Sequence, residues 1–143
     1  MLVREVMNRD VKTIEPGKSI LEAAGIMNEF RIGCLVVARE TRLVGILTER
    51  DILEKVVGED KKASRVKVSQ AMTRDPIMIE DDKDISEAVE IMNRSHIKKL
   101  PVVSGQSLVG ILTTTDLARV QPELVRQISS IMAFPKKGRP VAG

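Results

Sequence analysis

The sequence predicts a mixed α/β fold: two βαββα units related by a pseudo-two-fold axis and packed into one module. Three observations predict it. First, the chain repeats itself: residues 3–54 lie over residues 68–119 at a constant offset of about 65 with no gap, and roughly two dozen of about fifty positions are identical. Second, the matches preserve residue identity and not only character. Ile26-Met27-Asn28 recurs as Ile91-Met92-Asn93, and Leu43-Val44-Gly45-Ile46-Leu47-Thr48 recurs as Leu108-Val109-Gly110-Ile111-Leu112-Thr113. Third, each copy sets helical periodicity beside short apolar runs of strand length. A unit of about fifty residues buries too little surface to be stable alone, so two units closing a shared core are expected.

Each copy is justified in the same order. Residues 11–14 and 76–79 are short extended segments that run into acidic or Pro/Gly turns. Ser19-Ile20-Leu21-Glu22 has the form of a capping box opening a helix, and Asp84-Ile85-Ser86-Glu87 repeats it with Asp as the cap. Ile20, Ala23, Ala24, Met27 and Phe30 then fall at helical spacing, as do Ile85, Ala88, Val89 and Met92. Two apolar runs follow, 34–38 and 43–47, parted by a polar turn; 100–103 and 108–112 flank Ser104-Gly105-Gln106-Ser107, so both pairs predict hairpins. Thr48 and Thr113 open a second helix in each copy, with Asp51 and Asp116 three residues on. The organisation expected is a first motif over 1–57, a linker over 58–66, a second motif over 67–120, and a C-terminal helix and basic tail over 121–143. In that last part, Leu124, Val125, Ile128, Ile131 and Met132 form one apolar face.

Composition narrows the function. Hydrophobic residues at 43% and charged residues at 30% suit a globular chain. No uninterrupted apolar run approaches the roughly 18 residues of a membrane span. The N-terminus has no apolar stretch of the signal-peptide kind, and the single cysteine, Cys34, cannot form an internal disulfide; a cytoplasmic compartment is expected. The net charge is +3, but Arg126, Lys136, Lys137 and Arg139 follow the last acidic residue, Glu123, and without those four charges the chain stands at −1. The basicity therefore belongs to the tail, which weakens any nucleic-acid argument from the overall pI.

The succession of extended segment, capped helix, Ile-x-x-Leu-Val/Pro-Val strand and Gly-Ile-Leu-Thr-x-x-Asp resembles the CBS motif, named after cystathionine β-synthase. The resemblance covers both copies and implies a stand-alone CBS pair. Such pairs join their motifs through the sheets and commonly dimerise into a flat disc. They bind AMP, ADP, ATP or sometimes S-adenosylmethionine in two clefts between the motifs. A non-catalytic regulatory module is thus expected, needing no cofactor, with an adenine nucleotide as ligand and a separate protein or its own homodimer as output.

Thr-x-x-Asp is the sharpest pattern in each copy. Its spacing suits a capping box; it also suits ligand binding, since a helix start offers free N–H groups to phosphate and a carboxylate one turn in can accept from ribose hydroxyls. The resemblance places ribose and phosphate on these residues, and both roles can coexist. It further implies that each cleft combines the Thr/Asp pair of one motif with walls from the other. One cleft would join Thr48, Arg50 and Asp51 to Pro76, Ile77, Ile97, Lys98, Lys99 and Pro101. The other would join Thr113, Thr115 and Asp116 to Val11, Lys12, Ile32, Gly33 and Cys34. Lys98 and Lys99 fall where the resemblance implies basic residues against phosphate, and the first copy has Gly33 and Cys34 there, so the cleft with Asp51 is expected to be the better phosphate binder; the same lysines would also serve as plain solvated surface. With Phe30 and Phe134 as the only aromatics, adenine would lie between aliphatic side chains such as Ile32, Ile77 and Ile97.

Other readings are weaker. His96 is the only histidine, has no metal-ligand cluster around it in sequence and reads as surface. Cys34 reads as a small core or cleft-lining residue. Nucleic-acid binding through the basic tail, or a scaffold using the terminal helix, are the alternatives; few aromatics and three or four tail charges support only weak, salt-sensitive binding. No triad, metal-ligand spacing or glycine-rich phosphate loop points to an enzyme.

Overall fold

A computed structural model describes residues 1–124, 126 and 127. Helix α1 (Val3–Val6) leads into β1 (Thr13–Ile14), α2 (Ile20–Phe30), the hairpin β2 (Cys34–Arg39) and β3 (Arg42–Thr48), and α3 (Glu49–Ile52), which continues as one π-turn over Leu53–Val57. The second half repeats the series with α4 (Val68–Ala71), β4 (Thr73–Arg74), β5 (Ile79–Glu80), α5 (Ile85–Ser95), β6 (Lys99–Ser104), β7 (Ser107–Thr113) and α6 (Thr114–Val120). The strands run in the order β1-β2-β3-β7-β6-β5, with β4 also on β3. The two halves meet at β3 and β7 through the single register pair Arg42↔Ser107. The apolar face expected over 122–132 and the tail beyond it lie largely outside the described residues; Pro122 and Glu123 form a turn and Leu124 is buried.

Local chemistry accounts for the helices and turns. Ser19 caps α2, its Oγ accepting the Glu22 N–H at 3.1 Å, and Ile20, Ala23 and Met27 face inward. At α5 the cap differs from the expected box: Asp84 accepts the Ser86 N–H at 3.0 Å and the Ser86 hydroxyl at 2.6 Å rather than pairing with Glu87. These two bonds, with the N-terminal ammonium beside them, hold the Asp84 carboxyl down from 3.8 to about 2. Phe30, which shares the helical spacing of the buried residues, is itself exposed, and its ring lies under the Lys12 ammonium at 4.3 Å. Both hairpins form, and both turn on residues of left-handed φ, Glu40 at 55° and Gly105 at 64°.

The repeat seen in sequence is not the unit that packs. Val3 and Met7 of the first copy are buried with Ile79, Ile85, Leu100 and Leu112 of the second. Val68, Ala71 and Met72 of the second copy are buried with Ile14, Ile20, Leu35 and Leu47 of the first. Backbone bonds fix the exchange: Val3 N–H donates to the Lys83 carbonyl and Val68 N–H to the Lys18 carbonyl, each at 2.8 Å. Asn8 and Ile111 bond each other in both directions, and Thr73 pairs with Ile46 in the mirror arrangement. So two cores stand where one shared core was expected, each roofed by the leading turn of the other copy. The glycines kept at 45 and 110 follow from this. A Cβ on Gly45 would lie 2.6 Å from Met72 Sδ and 2.8 Å from the Thr73 carbonyl, and one on Gly110 would lie 2.5 Å from Met7 Sδ.

Candidate functional site

The Thr-x-x-Asp pairs form full capping boxes. Asp51 Oδ2 accepts the Thr48 N–H at 2.9 Å and its hydroxyl at 3.1 Å, while Thr48 Oγ1 accepts the Asp51 N–H. Oδ1 accepts Lys55 Nζ at 3.2 Å, and the residue is 8% exposed. Thr113 and Asp116 repeat the box, with Arg119 Nη1 at 3.6 Å from Asp116. Neither carboxylate faces bulk water, and neither lies on a cavity wall; each acts on its Thr, which does.

A cavity of about 970 Å³ opens between the halves. Its wall brings together eight of the nine residues expected with Asp51: Thr48, Arg50, Pro76, Ile77, Ile97, Lys98, Lys99 and Pro101. Ile77, Ile97, Pro76 and Pro101 supply apolar surface, and Arg50, Lys98 and Lys99 supply positive charge. Arg50 is paired with Glu54 at 2.7 Å; among the described residues Lys98 has no ion pair. Glu49, whose carboxylate lies over Gly33 in the space a side chain there would need, and Asp75 add negative charge.

A second cavity of about 160 Å³ takes Val11, Lys12, Ile32, Cys34 and Thr113 from the residues expected with Asp116. Thr115 and Asp116 are not on its wall, and Gly33 lies on the larger cavity instead. All ten residues lining the small cavity have their repeat partners on the large one, so the two are pseudo-two-fold images of each other. They differ where Lys12 stands in place of Ile77, and where the large cavity adds Gly33, Glu49, Arg50, His96 and Lys98, whose repeat partners do not line the small one. Lys12 is held to Asp10 at 3.0 Å and to the face of Phe30, whose repeat partner is Ser95.

Ile46, Thr73, Asp75 and His96 also line the large cavity and were not foreseen; His96, read as surface from sequence, is exposed but stands on this wall. Thr73, Asp75 and Ile46 are the repeat partners of Asn8, Asp10 and Ile111 on the small cavity, none of which the sequence singled out for the site. His96 follows from helix geometry: it ends α5 in a left-handed conformation, φ 55°, as Arg31 ends α2. Among the described residues no helix is long and apolar enough to cross a membrane, and no cluster of three or more His, Cys, Asp or Glu side chains could hold a metal ion.

Comparison with known proteins agrees with this architecture. The chain is 38% identical over 132 residues to the uncharacterized protein MK0525 of Methanopyrus kandleri, covering 91% of this chain and 67% of that one. It is 36% identical over 139 residues to an inosine-5'-monophosphate dehydrogenase of Methanocaldococcus jannaschii, covering 94% of this chain but 25% of the enzyme. The crystal structure of the CBS domain pair of protein MJ0100, in complex with 5-methylthioadenosine and S-adenosyl-L-methionine, superposes with a TM-score of 0.75 at 29% identity, over 86% of this chain and 97% of that one. The CBS domain family model matches twice, at residues 3–58 and 68–123, the two stretches that exchange leading turns around these paired cavities. The chain belongs to the CBS domain family, as a pair of motifs in one module.

Proposed function

We propose that this chain is a non-catalytic regulatory module that takes an adenosine nucleotide in the larger cavity and passes its occupancy to a partner protein or a second copy of itself. One observation carries the proposal. Residues from both halves converge on a cavity of about 970 Å³ with aliphatic surface for a purine and three cationic side chains for phosphate. Its volume falls in the roughly 300–1,000 Å³ range of small-molecule sites. Adenine lies between Ile77 and Ile97, and Thr48, Arg50, Lys98 and Lys99 meet the phosphate. Asp51 stands behind the wall and acts through Thr48, which it orients by two hydrogen bonds. A cytoplasmic homodimer belongs to the same reading, with the exposed Leu53 and Val57 as apolar surface for the second copy.

A thermal-unfolding series with AMP, ADP, ATP, S-adenosylmethionine and 5'-methylthioadenosine tests it. A ligand at about a hundred times its Kd stabilises the fold by about 2.7 kcal/mol, which raises Tm by several degrees. If no member of the panel raises Tm at millimolar concentration, the proposal fails.

A further inference from the structure

The two cavities share two residues, Cys34 and Lys99. These are repeat partners, so they face each other across the pseudo-two-fold axis, and Lys99 Nζ lies 3.5 Å from Cys34 Sγ. The ammonium therefore rests on the boundary between the cavities, against a sulfur acceptor that holds it weakly. On the small side the other cation, Lys12, is already met by Asp10 at 3.0 and 3.2 Å and by the Phe30 ring. An anion entering there finds only Lys99 unneutralised, with the Asp10 carboxylate opposing it. On the large side Lys99 stands beside Lys98 and Arg50, where a phosphate would draw it in.

We propose that Lys99 couples the two cavities. As the one cationic side chain on both walls it serves an anion in only one of them at a time, so a phosphate-bearing ligand in the large cavity weakens the binding of a small anion in the small one. A volume of about 160 Å³ is too small for a nucleotide but holds inorganic phosphate. Linkage makes the effect reciprocal: the small anion weakens the larger ligand by the same factor.

Methyl NMR separates the cavities, because Val11 and Ile32 line only the small one and Ile46 and Ile77 only the large one. The protein is titrated with inorganic phosphate, alone and saturated with AMP, and the midpoint is read at Val11 and Ile32. With AMP present the midpoint rises about fivefold or more, the low end of the usual coupling range. In Lys99→Met phosphate binds the small cavity more weakly and AMP raises that weaker midpoint no further, and in Lys99→Arg the rise returns. An unchanged midpoint in the unaltered protein overturns the coupling, and so does a failure of phosphate to move Val11 or Ile32 at all. A rise that persists in Lys99→Met overturns the assignment to Lys99. The choice of AMP rests on the nucleotide reading above. If AMP leaves Ile46 and Ile77 unmoved, that reading fails separately, and pyrophosphate takes the place of AMP under the same criteria.

Discussion

Glu40 and Gly105 hold the same left-handed position in the two hairpin turns, one with a Cβ and one without. The chain thus contains its own comparison. A residue with a side chain pays for this conformation in steric strain, which glycine avoids at some entropic cost. Glu40→Gly is therefore expected to stabilise the fold by about 0.5–1 kcal/mol, read as a higher urea midpoint. At this scale the sequence was legible where chemistry is local. Ser19, Thr48 and Thr113 cap the helices they were expected to cap, because a cap depends on residues three apart. The direction of the Asp51 carboxylate was not legible. The spacing fits a cap and a ribose contact alike, and only the fold shows that Thr48 and Lys55 take three of its bonds.

Among the elements, α1 and α4 hold the least expected feature. Their apolar residues were visible in sequence as the start of each repeat. Nothing in periodicity says which of two similar cores they cover, since Val3 and Val68 would fit a pocket of the same shape in either half. The exchange is seen in the close passage of 7–8 over Gly110 and of 72–73 over Gly45. Gly45→Ala puts a methyl against the Thr73 carbonyl, a backbone atom that cannot step aside, and overpacking of this kind costs about 1–3 kcal/mol. The loss is expected in urea unfolding, with faster amide exchange in 66–72 and around Leu47 than around Leu112. Uniform acceleration in both halves would count against exchanged roofs. The pairing of β1 and β5 is short, and the residues just before them, 11–12 and 76–77, line the cavities.

For the whole molecule, two related cavities have become unequal. The resemblance to the CBS motif implied which residues wall them, and the contrast of Lys98-Lys99 with Gly33-Cys34 marked where the two walls differ in cationic side chains. Neither disclosed the inequality of size: the large cavity is lined also by Gly33, Glu49, Arg50, His96 and Lys98, whose repeat partners do not line the small one. Lys98 faces the large cavity without an ion pair among the described residues, so Lys98→Ala is expected to weaken AMP binding about tenfold by calorimetry, the loss of one charge-assisted bond. Lys12→Ala should leave that affinity within about twofold, and the stoichiometry should stay at one nucleotide per chain. Equal losses in the two variants would mean that both cavities take the nucleotide.

The exchanged leading turns also bear on how such a chain could arise. A solitary copy would lack the roof of its own core and would have to borrow it from a second molecule, at a cost set by dilution. Joining the copies through residues 58–66 supplies the lender on the same polypeptide, so completing each core no longer depends on concentration. Freed from having to match an identical twin, each half could then change on its own, and the divergence of Lys12 from Ile77 is the kind of licence that fusion grants.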